Sequence, residues 1–97
     1  MPHVTAISSS NFAIAWFNTN ITTTGGIHYA IMNIAGANYG ERDRIANITF
    51  NPNRELTAIS PRPGGGFRIG WRDTLSGQLW YRDFNSVGLG TTGEIRV

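Results

Sequence analysis

The sequence predicts an all-β protein built from two four-stranded antiparallel units, and three observations support this prediction. The composition favours strands and turns, since the 97 residues include 12 glycines, three tryptophans and no lysine. No segment shows the periodicity of an amphipathic helix. The chain also contains an internal repeat of about fifty residues, and each copy has four short apolar segments separated by turn residues.

The internal repeat is visible as three groups of matching positions. Thr5–Ser8 recurs as Thr57–Ser60, which lies 52 positions later. Phe12–Trp16 then matches Phe67–Trp71 at an offset of 55, because residues 61–66 form a longer turn. The offset returns to 52 for the later pairs, namely Ile27 with Leu79, His28 with Trp80, Tyr29 with Tyr81, Asn33 with Asn85 and Arg44 with Arg96.

The repeat divides a single domain, residues 1–97, into units at residues 2–50 and 54–97. Turn residues between the apolar segments set the strand boundaries. We expect the strands of the first unit at 4–8, 12–18, 26–34 and 41–49, and those of the second unit at 55–60, 66–72, 78–84 and 92–97.

The second strand of the first unit has one large face and one small face. Phe12, Ile14 and Trp16 alternate with Ala13 and Ala15, as the two-residue period of a strand requires. We expect the small face to let another sheet pack closely on it, as between the blades of a propeller.

Four short antiparallel strands in each repeat are typical of a β-propeller blade, and a propeller needs about four to eight blades to close its ring. Two blades cannot close, so we expect several copies of the chain to complete the ring. Two, three or four chains would give four, six or eight blades, and a cyclic homotrimer is our first choice. A fragment of a longer repeat chain and a duplicated two-sheet sandwich remain as alternatives.

The second unit resembles known blade repeats through its segments Leu56–Trp71 and Gly77–Val97. These are similar to the repeats of large secreted bacterial proteins and, in strand plan, to small fungal and bacterial fucose-binding propeller lectins. Some of those lectins are two-blade chains that form trimers, so the resemblance implies the same architecture. It also implies a sugar contact for Arg68. The acidic partner in that family falls on Tyr81, and the first unit has neither an arginine nor an acid at the equivalent positions.

Residues 68–83 concentrate aromatic and charged side chains, a combination that suits sugar binding. The apolar face of a pyranose stacks on aromatic rings, while its hydroxyl groups bond to arginine and carboxylate groups. The second unit carries Arg68, Trp80 and Arg82 where the first carries alanine or histidine. Trp80 and Arg82 alternate together on the third strand and Arg68 lies on the neighbouring second strand, so the three cannot all share one face, although they lie within side-chain reach across the ladder. We therefore predict a neutral sugar near these three residues, with Tyr81 or Asp83 as a further contact, in a groove between neighbouring blades.

Two classes of function remain open at this point. The first is a lectin whose ring repeats one site, so that weak single contacts add together. The second is a structural or protein-interaction module whose aromatic residues fill the core. We expect no enzyme, cofactor or metal site, because neither His3 nor His28 lies in a nucleophile–base pattern or at metal-ligand spacing, and cysteine is absent.

Charge and hydropathy narrow the range of partners. The sequence pI is about 9.7, but the formal net charge is only +2 and the arginines are scattered, which is weak support for nucleic-acid binding. No apolar run approaches the length of a membrane span. We expect a soluble protein whose partners are glycans and further copies of itself, and the compartment stays undetermined.

Overall fold

The computed structural model describes residues 3–8, 10–18, 26–33 and 53–97. These residues form seven strands in two antiparallel sheets, of three and four strands, and they include no helix that could cross a membrane. The predicted all-β fold class is confirmed. The strands are β1 (His3–Ala6), β2 (Asn11–Asn18), β3 (Gly26–Asn33), β4 (Arg54–Pro61), β5 (Phe67–Asp73), β6 (Leu79–Phe84) and β7 (Ile95–Arg96).

Each sheet is a meander, since its strands follow one another in chain order. The first sheet has the order β1-β2-β3 and the second has the order β4-β5-β6-β7. Short connections between antiparallel neighbours favour this arrangement. The predicted fourth strand of the first unit, at 41–49, lies outside the described residues.

The first strand is shorter than the sequence predicted. β1 ends at Ala6, whereas the apolar pattern extended it to Ser8. The hydroxyl group of Ser8 accepts hydrogen bonds from the backbone N–H groups of Ser10 and Asn11, at 3.3 and 3.2 Å. This local turn competes with the strand for the backbone and ends it early.

The first strands of the two sheets pair in different registers. Ile14 lies opposite Val4, whereas its counterpart in the repeat, Ile69, lies opposite Ile59. The sequence match instead aligns Ile59 with Ile7, three positions beyond Val4. The shared Thr-Ala-Ile-Ser motif therefore does not occupy equivalent positions in the two sheets.

The second and third strands of each sheet pair in the same register. Trp16 lies opposite His28, and the corresponding Trp71 lies opposite Trp80. The same correspondence holds along the whole β5–β6 ladder. The repeat offsets of 55 and 52 predicted this agreement, so β2–β3 and β5–β6 can be compared position by position.

The two sheets pack together through faces that do not correspond in the repeat. The first sheet buries its small face, where Ala13 and Ala15 are both 0% exposed. The second sheet buries its large face, where Phe67 and Trp71 are 0% and 1% exposed. The other face of each sheet points away from this shared core; in the first sheet it carries Phe12, Ile14 and Trp16, and in the second it carries Arg68 and Tyr81.

Tyr29 joins the two sheets across the core. Its ring centroid lies 4.6 Å from that of Phe84 and 5.9 Å from that of Phe67. Its hydroxyl group donates a buried hydrogen bond of 2.7 Å to the carbonyl oxygen of Gly88, in the loop after β6. Burial of such apolar side chains contributes about 1.5–3 kcal/mol each and supplies most of the attraction between the sheets.

Candidate functional site

The five predicted ligand-binding residues all lie on β5 and β6, but they divide between the two faces of the second sheet. Arg68, Tyr81 and Asp83 lie on the outer face, and Arg68 is directly opposite Asp83. Trp80 and Arg82 lie on the face that packs toward the first sheet. One pocket on a single face therefore cannot hold all five side chains.

Arg68 is held from two directions on the outer face. Its Nε and Nη2 atoms donate to Oδ1 and Oδ2 of Asp83, at 2.7 and 3.0 Å. Its guanidinium carbon lies 3.9 Å from the ring centroid of Tyr81. The paired hydrogen bonds and the cation–π contact together fix both the plane and the direction of the guanidinium group.

Arg62 also approaches Asp83, and the sequence prediction did not include it. Its Nη1 atom lies 3.3 Å from Oδ2 of Asp83. Arg62 lies between Pro61 and Pro63, whose rings restrict the backbone, and its N–H group donates to the carbonyl oxygen of Gly66 at 2.8 Å. An arginine between two prolines in a hairpin connection was the available signal for this residue.

The electrostatics of this cluster follow from its burial and its pairing. The hydrogen bond from Arg68 lowers the pKa of the Asp83 carboxyl, and the positive charges of Arg68 and Arg62 act in the same direction, whereas burial opposes them. The same hydrogen bond raises the pKa of Arg68. Asp83 is therefore a carboxylate at neutral pH, although only 6% of the residue is exposed.

Arg82 has a structural position on the inner face. Its Nε atom donates to the carbonyl oxygen of Thr92 at 2.9 Å, and its guanidinium carbon lies 5.3 Å from the ring centroid of Phe84. A Cβ atom at Gly90 would overlap the guanidinium group, so a larger residue there would require the end of the Arg82 side chain to move. Arg82 thus ties the segment before β7 to the core.

Trp80 is partly buried and packs against the core cluster, opposite Trp71. Its counterpart His28 stacks on Trp16 in the first sheet, with 5.9 Å between ring centroids. The position is thus occupied by a ring in both sheets. Packing explains the placement of Trp80 without a ligand.

Two further ion pairs lie on the second sheet. Arg72 shares the outer face with Arg68, and its Nε atom is 3.4 Å from Oε1 of Glu55. Arg54 binds Glu94 through both Nη atoms, at 3.2 and 2.9 Å. Within the part of the chain that the structure describes, no three histidine or carboxylate side chains come together as a metal site.

Comparisons with protein-family models, with curated proteins and with solved structures found no match. The function of the site is therefore inferred from its own residues.

Proposed function

We propose that this chain is a carbohydrate-binding lectin whose site is formed by the cluster of Arg62, Arg68, Tyr81 and Asp83. The observation that carries the proposal is the guanidinium group of Arg68, which is fixed by Asp83 and Tyr81 while its side chain remains 37% exposed. Sugar recognition needs oriented donors beside an aromatic surface, and this cluster provides both.

The fixed geometry lowers the cost of binding. Immobilising a long side chain costs about 0.5–1.5 kcal/mol when a ligand has to do it. Arg68 is already ordered by its ion pair and its ring contact. Ser60, which is exposed and lies opposite Arg68 on β4, adds a hydroxyl group that can both donate and accept.

We also propose that several copies complete a β-propeller, with three chains forming six blades. In each chain, the large face of the first sheet points away from the core. It includes Phe12, Ile14 and Trp16. The outer face of the second sheet also points away from the core, and there Ala58 and Gly70 lie beside Tyr81. We propose that these two faces meet between copies around Ala58 and Gly70, while the hairpin end of the second sheet, with Arg62 and Arg68, stays uncovered.

The choice of faces favours a propeller over a duplicated sandwich. In a two-fold sandwich of repeated units, both units bury the same face. Here the buried positions Ala13 and Phe67 belong to opposite faces of the repeat. Such a head-to-tail contact leaves one unmatched face at each end, and only a ring or an open filament can satisfy it.

A ring of three chains would repeat the site three times. Arg68 is one residue from the hairpin end of β5, next to the turn that carries Arg62. The cluster is therefore at the end of its sheet, where a groove between neighbouring blades can stay open to a glycan. Repeated sites raise the overall affinity for a multivalent surface without any new contact.

A protein-interaction module is the second candidate, and the outer face of the first sheet favours it. Val4 lies on this face and is 62% exposed, beside Ile14. An apolar sheet face of this kind also suits a protein partner. This candidate would leave Arg68 and Asp83 as a structural ion pair, so the two candidates differ in whether any glycan binds.

The test is glycan binding by the full chain and by two variants, Arg68→Gln and Tyr81→Ala. We expect the parent to bind on a glycan array, with elution by free sugar, and each variant to lose about ten- to hundredfold in affinity, or roughly 1–3 kcal/mol. Arg72→Gln removes the same charge from the same sheet face and is the matched control. A parent that binds no glycan, or unchanged affinity in both variants, would contradict the proposal.

A further inference from the structure

We propose that the cluster of Arg62, Arg68, Tyr81 and Asp83 selects anionic saccharides, which carry a carboxylate or sulfate group, over their neutral counterparts. The sequence alone favours a neutral sugar, and the contact between Arg62 and Asp83 changes this expectation. This inference rests on the proposed lectin function and specifies the ligand class of the same site.

The charges of the cluster do not cancel. Arg62 and Arg68 are two positive groups that share the single carboxylate of Asp83, so the cluster has a net charge of +1. Asp83 is almost completely buried, whereas the two arginine side chains are 40% and 37% exposed. The positive charge therefore faces the solvent, where it attracts an anion.

Arg68 has a complete donor fork left for a ligand. Asp83 uses the Nε and Nη2 edge of the guanidinium group. The end of the group, formed by Nη1 and the second N–H of Nη2, donates to no described residue. A planar fork of this kind matches the two oxygens of a carboxylate or sulfate group, and charge-assisted hydrogen bonds are about twice as strong as neutral ones.

Arg62 adds a second donor on a restrained backbone. Its contact with Asp83 uses Nη1, and no described residue accepts from its Nε or Nη2 atom. The flanking prolines and the hydrogen bond to Gly66 hold its backbone in the turn. Two guanidinium groups beside one carboxylate are then arranged so that an incoming anion can bridge them on the solvent side.

The other arginine pair on this face shows the contrast. Arg72 faces Glu55 alone, with side chains 41% and 61% exposed, so one positive group meets one negative group. This pair carries no excess charge and has no second arginine. Arg72→Gln therefore removes one positive charge from the protein while leaving the cluster intact.

The experiment uses the full chain on an array of matched glycan pairs, glucuronate- against glucose-terminated, sialylated against desialylated, and sulfated against unsulfated. We expect the anionic member of at least one pair to bind about tenfold or more tightly than its neutral partner. The uronate, sialate and sulfate arms identify the source of the charge. The preference should weaken as the salt concentration rises.

The variant Arg62→Gln should reduce binding of the preferred anionic probe to about the level of its neutral partner, while Arg72→Gln keeps the preference. Equal binding within every pair would overturn the anionic selectivity and leave the lectin function standing. Absence of binding to every glycan would overturn both. An equal loss in Arg62→Gln and Arg72→Gln would assign the preference to the overall charge of the protein and overturn the site.

Discussion

Among single residues, Asp83 has the most constrained position in the proposed site. It accepts two hydrogen bonds from Arg68, lies within 3.3 Å of Arg62 and is only 6% exposed. Its backbone N–H group donates to the hydroxyl oxygen of Thr92 at 3.1 Å. A charged side chain can be buried in this way because both oxygens are paired with cations.

Replacing Asp83 by asparagine tests this arrangement through its pH dependence. Because the folded pKa of Asp83 is lowered, its contribution to stability is present above its unfolded pKa, about 3.9, and is lost as the pH falls through the folded value. We expect Asp83→Asn to lower the free energy of unfolding by about 1–2 kcal/mol at pH 7. Urea unfolding at pH 7, 5 and 3 should show this deficit shrinking below about pH 4. A deficit that stays constant across the series would contradict the ionic role.

The site residues could be predicted from the sequence only in part. The repeat offsets correctly predict that the β5–β6 ladder keeps the register of β2–β3, but they do not determine that Asp83 is the residue opposite Arg68. The faces of Trp80 and Arg82 depend on how this sheet packs against the other, which composition does not reveal. Arg62 lies in a turn, where no periodicity predicts the direction of its side chain.

At the scale of strands, the small face of β2 is what lets the two sheets approach. Ala13 and Ala15 are completely buried opposite Ile31 and Tyr29. Larger side chains at these two positions would hold the second sheet away. Their methyl groups instead leave room for the aromatic rings of the other sheet.

Ala15→Leu tests this close approach. The added carbons have no space beneath the second sheet, so we expect a loss of about 1–3 kcal/mol in the free energy of unfolding. Thr74→Leu introduces the same side chain at an exposed turn position and should change stability by no more than about 0.5 kcal/mol. Thermal or urea unfolding compares the two variants. Equal stability of Ala15→Leu and the parent would mean that the sheets do not pack through this face.

Strand bounds could be predicted where large and small side chains alternate strongly. They could be predicted less well where hydrogen bonds in a turn set the end of the strand. β2 and β5 fall within one residue of their expected bounds. β1 ends early because the hydroxyl group of Ser8 caps a tight turn. β7 begins at Ile95 rather than at Thr92, whose hydroxyl group bonds to Asp83 instead. Such side-chain hydrogen bonds to the backbone leave little trace in hydropathy.

For the whole molecule, the main consequence of the fold is that, among the residues the structure describes, each sheet keeps one face outside the shared core. The outer face of the first sheet includes Val4 and Ile14, and the outer face of the second includes Ala58, Gly70 and Tyr81. The sequence repeat predicted that two units would be too few to close a ring. Which face of each sheet is buried within the chain is decided by the packing of the two sheets. The repeat alone does not determine this packing.

The most direct test of this account is the mass of the chain in solution, measured by sedimentation velocity with two face variants. Val4→Glu places a charge on the outer face of the first sheet, and Ala58→Arg blocks the outer face of the second. Both residues are exposed in the single chain, so neither change should disturb its fold. Leu75→Glu, at a turn residue 79% exposed, is the control.

We expect the parent and the Leu75→Glu control to sediment as a trimer of the 10.6 kDa chain, and each face variant alone as a monomer. An equimolar mixture of Val4→Glu and Ala58→Arg should form a dimer and nothing larger. The intact second-sheet face of Val4→Glu can bind the intact first-sheet face of Ala58→Arg, and the two faces that remain in this pair are both blocked. A monomeric parent at micromolar concentration would contradict the account. So would an Ala58→Arg variant that still assembles while Val4→Glu does not, because first-sheet faces would then be meeting each other.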